Sequence, residues 1–337
     1  MAQTQTQSTQ LLEDLPPFPP VAARLTQALE ANDADIGEIV DLVGSDPALA
    51  ADIVRRANSP AYGFGRRVDS VREALVLLGF AELHRLTLAR ATAALAGGAL
   101  HAFPALRRCW RNSLAVAAVA EQLAGVVGLS ADKAYTAGLL HDIGRLGLLS
   151  IFPTQYSELL LRAAREAPPD DVAYLLDTEQ LIFGIDHCSA GRVLTERWEM
   201  PVEIQQVAGR HHDRIEGSDW GFLELIQGAV TLAEALGFGA LDREARLTMD
   251  KALERFPDLL ALEVRIRTDD IKDHVDSRIA KLDGDVTDSA AEGGEADEAP
   301  PAEAEGRKQP EEPIWLIAAA CGLVVAAIAA GALAYFY

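Results

Sequence analysis

Apolar residues recur three and four positions apart along most of the chain, and almost no stretch alternates with a period of two. This spacing places apolar side chains on one face of a helix, so the pattern predicts an all-α fold. Short helices are predicted over residues 18 to about 95 and longer ones over 104 to about 238, with a break at Gly97-Gly98 between them. A last amphipathic helix is predicted over about 259–282. The pattern therefore predicts a two-part helical bundle.

Residues that cap helices mark several of the predicted helix ends. Ser70 and Glu73 have the spacing of a capping box, and Gly79 ends the apolar run that follows them. Ser130 and Asp186 stand where an N-cap is expected, immediately before two further runs with helical spacing. These residues predict where the helices begin more sharply than the apolar spacing alone.

The C-terminal segment 314–337 contains no charged residue. At about 1.5 Å per residue it is long enough to cross a hydrocarbon core about 30 Å thick, which predicts a single transmembrane helix. Arg307 and Lys308 precede it, so the positive-inside bias places the large N-terminal part in the cytoplasm. Small residues recur every fourth position in the segment, a spacing through which two such helices could form a homodimer: Ala318, Gly322, Ala326 and Ala330.

Five regions are predicted along the chain. Residues 1–10, rich in Gln and Thr, are predicted to be a disordered tail. Residues 11–212 form the main domain, and residues 213–282 form a helical extension that packs on it. Residues 283–313, rich in Glu, Asp, Ala, Gly and Pro, are predicted to be a disordered acidic linker to the transmembrane helix at 314–337.

Charge and cysteine content narrow the possible partners and compartments. The formal net charge is −21. Nucleic-acid binding needs a basic face, so no nucleic-acid partner is predicted. The three cysteines, Cys109, Cys188 and Cys321, stand far apart and are odd in number, which indicates a reducing compartment rather than a disulfide framework.

Several short motifs follow one another in a fixed order along the domain. They are LPPFPP at 15–20, SDPALA at 45–50, RANS at 56–59, ALVLLG at 74–79, LLHDIG at 139–144, and WEMP at 198–201 followed by His211-His212. This ordered set resembles the HDOD domain, a bacterial signalling relative of the HD phosphohydrolases, over about 11–212. The resemblance implies an all-α fold, which agrees with the apolar spacing. It also implies a bacterial protein.

The resemblance also implies a site of the HD type, in which His and Asp side chains hold divalent metal. His141 and Asp142 match its adjacent pair, and imidazole with carboxylate suits Fe, Mn or Zn. Catalytic relatives place a histidine where this chain has Asn112 and an aspartate where it has Glu234. The metal ligands predicted from this match are His141, Asp142, His187, His211 and Glu234.

Three interpretations of this altered site stay open. The pair at 141–142 is a relic that specifies helix packing through hydrogen bonds, or it binds metal without turnover, or it serves an active hydrolase. His211 and His212 are possible ligands, or they complement a helix C-terminus instead. Cys188 beside His187 suggests a thiol ligand, although a small buried cysteine is the favoured interpretation. Loss of ligands favours a protein without a cofactor and without catalysis.

A second candidate site is a glycine-flanked aromatic loop formed by Asn58, Tyr62 and Phe64. Asn58 is expected to cap or brace neighbouring backbone groups. The two aromatic side chains either dock a partner protein or plug the gap between the two parts of the bundle. Arginine pairs elsewhere could hold a phosphorylated ligand, so a nucleotide receptor that uses Arg66 or Arg107 is a further alternative.

These observations predict a membrane-tethered, non-catalytic signalling or scaffold protein that acts through contacts with other signalling proteins. The predicted location is the bacterial inner membrane, with a single span and a cytoplasmic N-terminal domain. The main alternative is a metal-dependent phosphohydrolase of the HD type that acts on a nucleotide or a cyclic dinucleotide.

Overall fold

The computed structural model describes residues 2–15, 18–31, 36–44, 47–60, 62–63, 67–96, 102–167, 172–213, 220–243 and 247–292. These ranges contain helices and turns and no strand, which confirms the predicted all-α class. In chain order the helices are α1 (Ala2–Glu13), α2 (Pro20–Ala31), α3 (Ile36–Gly44), α4 (Pro47–Ala57), α5 (Val71–Leu78), α6 (Phe80–Ala96), α7 (Pro104–Ala124), α8 (Ala131–Leu140), α9 (Ile143–Ile151), α10 (Pro153–Glu166), α11 (Val172–Phe183), α12 (His187–Arg197), α13 (Val202–Arg210), α14 (Phe222–Ala235), α15 (Met249–Leu253), α16 (Asp258–Ile266) and α17 (Thr268–Glu292).

Within the described ranges, buried apolar side chains form two cores, as the two-part pattern predicts. The smaller core lies among α2 to α6 and includes Leu25, Ile53 and Leu83. The larger core is built on α7 and takes in side chains from α6 and from α8 onward. Helix α6 contributes side chains to both cores, so the two parts have this helix in common and are not separate domains.

Helix α7 is the central support of the larger core. It begins with proline at its first position, where the missing N–H costs nothing, and its alanine content suits both helix formation and close packing. Helix α8 crosses it so closely that a Cβ on Gly138 would lie 2.7 Å from the Cα of Ala117. This contact fixes the C-terminal end of α8, where His141 follows.

The predicted helix starts are confirmed by their hydrogen bonds. Ser70 Oγ accepts from the backbone N–H of Glu73 at 3.2 Å, and the Glu73 carboxylate accepts from the N–H of Asp69 at 3.3 Å. Ser130 and Asp186 accept in the same way at the starts of α8 and α12.

The predicted disordered tail over residues 1–10 is wrong for residues 2–10, which lie in helix α1, and residue 1 lies outside the described residues. Ser8 is buried, and its hydroxyl donates to the carbonyl of Phe183 at 2.6 Å. Leu12, one turn further along the helix, is fully buried in the larger core. The polar composition concealed that these two side chains, four residues apart, share one face.

The C-terminal part differs from prediction in two ways. The single helix predicted over 259–282 is two helices, α16 and α17. Helix α17 continues to Glu292, so the predicted disordered linker is wrong over 283–292, and its remainder lies outside the described residues. The predicted transmembrane helix at 314–337 also lies outside them. Within the ranges given above, no helix is both long enough and apolar enough to cross a membrane.

A half-buried ionic network joins α6, α7 and α17. Arg85 lies 2.6 Å from Glu121, and Arg278 of α17 lies 2.7 Å from Glu82 and 3.6 Å from Glu121. The Tyr62 hydroxyl donates to Glu82 at 2.7 Å. Burial raises the pKa of Glu82, but Arg278 and Tyr62 outweigh burial and hold that pKa below its usual value. The network therefore stabilises Glu82 in its charged form.

Acid is expected to destabilise the protein in part through His84 on α6. This imidazole is buried, lies 3.0 Å from Thr26 Oγ1, and has a pKa lowered from 6.5 to about 3 by burial and by neighbouring Arg85. Below about pH 6.5 this imidazole binds a proton in the unfolded chain but stays neutral in the folded chain. The contribution of His84 to the free energy of unfolding is therefore complete above pH 6.5 and decreases as the pH falls below it. Between pH 7 and pH 5 the loss is about 2 kcal/mol.

Urea unfolding of the wild type and of His84→Gln at several pH values measures this effect. The variant is expected to lose less stability per pH unit than the wild type, because its amide does not titrate. Parallel pH slopes for the two proteins would show that His84 is not the group responsible.

Candidate functional site

The His-Asp pair lies at the corner between α8 and α9. His141 closes α8 with helical dihedral angles, and Asp142 precedes α9 at φ −110° and ψ 25°. Their adjacency in sequence suggested two neighbours within one helix, but the two residues lie between two helices. Both side chains are buried, and the corner directs them toward α12 and the end of α13.

Glycine permits the close approach of α9 to α12. A Cβ on Gly144 would lie 2.0 Å from the carbonyl oxygen of His187 and 2.3 Å from the nitrogen of Gly191. The backbones of the two helices are therefore in direct contact. This contact places the His187 side chain beside Asp142, with His187 Nε2 3.7 Å from Asp142 Oδ1.

A buried arginine occupies the centre of the site. Arg145 Nε donates to Asp142 Oδ2 at 2.6 Å, and Arg145 Nη2 donates to His187 Nε2 at 3.2 Å. Burial raises the pKa of Asp142, but the guanidinium of Arg145 outweighs burial and holds that pKa well below the usual range. Asp142 and Arg145 thus form an internal ion pair that leaves Asp142 as a carboxylate.

Glu179 of α11 orients the imidazole of His187. Its Oε2 accepts from His187 Nδ1 at 2.6 Å and from the His187 backbone N–H at 2.8 Å. The Tyr156 hydroxyl donates to the other oxygen of Glu179. Because Nδ1 donates to Glu179, the lone pair of Nε2 faces Arg145 and Asp142. A second carboxylate that fixes a histidine in this way is a common support of metal sites.

His141 and His211 present their Nε2 atoms to the same space. Each Nδ1 donates to a carbonyl of its own helix, to Gly138 at 2.7 Å and to Val207 at 3.2 Å. Burial lowers the pKa of both imidazoles, which keeps them neutral. His211 Nε2 lies 3.9 Å from Asp142 Oδ1. Both atoms, His211 Nε2 and Asp142 Oδ1, are buried, and neither has a hydrogen-bond partner in the described part of the chain.

The donors present fit one divalent metal in number and chemistry. His187, Cys188, His211 and His212 offer ligand atoms that all lie within 4.8 Å of one another. In a four-coordinate zinc site the ligand atoms lie roughly 3.3 Å apart. Asp142 Oδ1 lies somewhat further than this from His187 Nε2, at 3.7 Å, and from His211 Nε2, at 3.9 Å. His187 Nε2 could bind metal only by giving up its hydrogen bond from Arg145. The donor atoms therefore suit a metal, but the Arg145 guanidinium competes with it for Asp142 and for His187.

The structure brings the predicted ligands close together. Four of them line one inner cleft, namely His141, Asp142, His211 and Glu234. His187 lies beside it, with Nε2 3.7 Å from Asp142 Oδ1. Asn112, at the position of the expected histidine, lines the same cleft and donates to the carbonyl of Phe238 at 2.7 Å. Its amide therefore fixes a loop.

Sequence reasoning missed Arg145 and Glu179. Arg145 follows Asp142 by three residues, which places it on the same side of the helix, and this spacing was an available signal. Glu179 lies in a different helix and precedes His187 by eight residues, so only the tertiary fold joins them.

The predicted aromatic loop is held from within. The side chain of Asn58 donates to the carbonyls of Val54 and Val68 and accepts from the N–H of Val68, which makes it the predicted brace. Tyr62 contacts Glu82, which favours the plugging interpretation for that residue. Phe64 lies outside the described residues, and docking of a partner at this loop stays a prediction.

Comparisons with known proteins agree with this architecture. The HDOD domain family profile matches residues 15–214. An uncharacterized protein of Treponema pallidum (strain Nichols) is 28% identical over 221 residues, which are 62% of this chain and 41% of that protein. The chain thus spans less than half the length of that relative.

Solved structures show the same fold. A protein of Marinobacter aquaeolei VT8, provisionally assigned to signal transduction, is 25% identical with a TM-score of 0.59, and the match covers 83% of this chain and 60% of that one. An HDOD domain protein of unknown function from Geobacter sulfurreducens is 22% identical with a TM-score of 0.58, over 82% and 99% of the two chains. A provisionally named phosphohydrolase of Shewanella amazonensis SB2B is 20% identical with a TM-score of 0.57, over 80% and 97%. The last two likenesses concern the fold alone.

Proposed function

Because the chain belongs to the HDOD domain family, we propose that it is a signalling module that acts through contacts with other proteins and not through catalysis. We further propose that its uncharged segment 314–337 tethers it to the bacterial inner membrane, with the helical domain in the cytoplasm. A module of this kind transmits a signal when a ligand or a partner changes the surface that it presents.

The observation that supports a non-catalytic role is the position of Arg145. Its guanidinium donates to Asp142 and to His187, two of the groups that a hydrolytic metal would need. The position at which the family resemblance implies a further histidine holds Asn112, whose amide donates to a backbone carbonyl. A buried cation that is covalently part of the chain makes metal binding costly, because the metal must compete with it for the carboxylate.

Metal content tests this proposal. We expect full-length protein, purified in detergent without a metal-affinity tag, to contain Fe, Mn and Zn far below one atom per chain by mass spectrometry. Asp142→Asn, which keeps the shape of the side chain, should give the same low value. Near-stoichiometric metal in the wild type that falls in Asp142→Asn would show that Arg145 does not exclude a metal, and would remove the observation that supports a non-catalytic role.

The tether is tested separately by fractionation of cells. Full-length protein should sediment with membranes and resist extraction by alkaline carbonate, whereas a chain ending at residue 313 should be found in the soluble fraction. If both chains fractionate alike, segment 314–337 is not the tether.

A metal-dependent phosphohydrolase is the second candidate. It is favoured by Asp142 Oδ1 and His211 Nε2, two buried atoms for which the described residues provide no hydrogen-bond partner. His141, His187, His211 and Asp142 would hold the ion, which supplies a Lewis acid for a phosphoryl oxygen. Glu179 and Tyr156 would keep His187 oriented. This candidate predicts that Asp142→Asn and His211→Ala abolish phosphodiester hydrolysis while the circular dichroism spectrum stays helical.

A further inference from the structure

A cleft lined by three arginines lies beside the histidine cluster. Arg108 and Arg111 stand one turn apart on α7, and Arg243 lies in the loop that follows α14. The cleft has a volume of about 210 Å³ and adjoins an inner cavity of about 100 Å³ that reaches His141 and His211. Five residues line both spaces, so the two are adjacent: Asn112, Glu234, Gly239, Leu241 and Arg243.

The loop that carries Arg243 is fastened to α7 by two hydrogen bonds. Asn112 donates to the carbonyl of Phe238 at 2.7 Å, and Arg108 donates to the carboxylate of Asp242 at 2.8 Å. Arg243 follows Asp242 directly, so its backbone is placed before any ligand arrives. This arrangement reduces the ordering cost of binding at the cleft.

Arg243 is the residue that points to a ligand. Its Nε and Nη1 atoms are buried, yet among the residues that the structure describes neither has a hydrogen-bond acceptor. Leaving charged donors buried without an acceptor is unfavourable, and a planar guanidinium pairs best with an anion that offers two oxygens. Asp242 is engaged by Arg108, and Glu234 is the other carboxylate of the lining. Among the described residues that line the cleft, three arginines therefore accompany two carboxylates.

We propose that this cleft binds the phosphoryl group of a small phosphorylated molecule through Arg243, Arg111 and Arg108. A carboxylate would need only one guanidinium, whereas the oxygens of a phosphoryl group can use several. The size of the two spaces suits a small molecule, and the net charge of −21 repels a long polyanion. The inference rests on the proposed function, since such a ligand would be the input of the signalling module.

Calorimetric titration with inorganic pyrophosphate tests the inference. The full-length protein in detergent is titrated with EDTA present and at low ionic strength. We expect saturable binding at one site, weakened at least tenfold by Arg243→Gln and also weakened by Arg111→Gln. Arg24→Gln is the matched control, because Arg24 is an exposed arginine paired with Glu38 at 2.8 Å, and it should bind as the wild type does.

Three results would overturn the inference: no saturable binding, binding that Arg243→Gln and Arg111→Gln leave unchanged, or binding that requires an added divalent metal. Arg111 is exposed, so its variant keeps the test valid if Arg243→Gln fails to fold. Phosphorus NMR of the protein with pyrophosphate and added Mn²⁺, without EDTA, separates this inference from the proposed function. Bound but intact pyrophosphate supports both, whereas arginine-dependent binding followed by hydrolysis supports the site and contradicts the non-catalytic role.

Discussion

Gly144→Ala is expected to lower the free energy of unfolding by at least about 3 kcal/mol, or to prevent folding. The new methyl group would lie 2.0 Å from the carbonyl oxygen of His187 and 2.3 Å from the nitrogen of Gly191. Both are backbone atoms, so no side-chain rotation relieves the contact. Helices α9 and α12 would have to separate, and the separation would draw His187 away from Asp142.

Urea unfolding followed by circular dichroism measures this effect. Gly125→Ala is a suitable control, because Gly125 has a helical φ of −63° and a methyl group added there would meet no packed neighbour within 4 Å among the described residues. That control should be neutral or stabilising by about 0.5 kcal/mol. Equal unfolding midpoints for the two variants would mean that α9 and α12 are not in backbone contact.

Arg145→Met is expected to destabilise the protein by about 3–5 kcal/mol. Methionine keeps the apolar volume but removes the guanidinium that donates to Asp142, whose carboxylate would remain buried and charged. His187 Nε2 would lose its donor as well. Adding Asp142→Asn removes the stranded charge, so the double variant should be more stable than Arg145→Met alone.

The unfolding free energies of both single variants and of the double variant give the coupling between Asp142 and Arg145. Arg265→Met serves as the control, because Arg265 is exposed and pairs with exposed Asp250 at 2.8 Å. Its effect should not exceed about 1 kcal/mol. A comparably small effect for Arg145→Met would mean that the buried pair does not stabilise the protein and would remove the main support for a non-catalytic site.

The helix pattern could be predicted because it depends on neighbours in sequence. Ser70, Ser130 and Asp186 each act on a backbone N–H within three residues, so a local pattern is enough to place them. The meeting of His141 with His211 came from a family resemblance and not from spacing. The structure places their rings 5.1 Å apart.

The errors share a physical cause. Helix α1 is polar in composition, and its order depends on Ser8 and Leu12 finding partners far along the chain. Helix α17 continues past its apolar stripe, where composition predicted disorder. Glu179 had no local signal, because its role depends on the approach of α11 to the start of α12. Contacts between distant segments decide such cases, and a single sequence does not display them.

The ionic network described above makes helix α17 part of the same packed unit as α6 and α7. The family match ends at residue 214, but Glu82 and Glu121 both pair with Arg278, far beyond that limit. Ile271, Val275 and Ile279 of the same helix complete the larger core. A fragment cut at the family boundary would therefore keep two half-buried carboxylates without this partner and expose one side of α7. The limit of the family resemblance and the limit of the cooperative folding unit are different places on this chain.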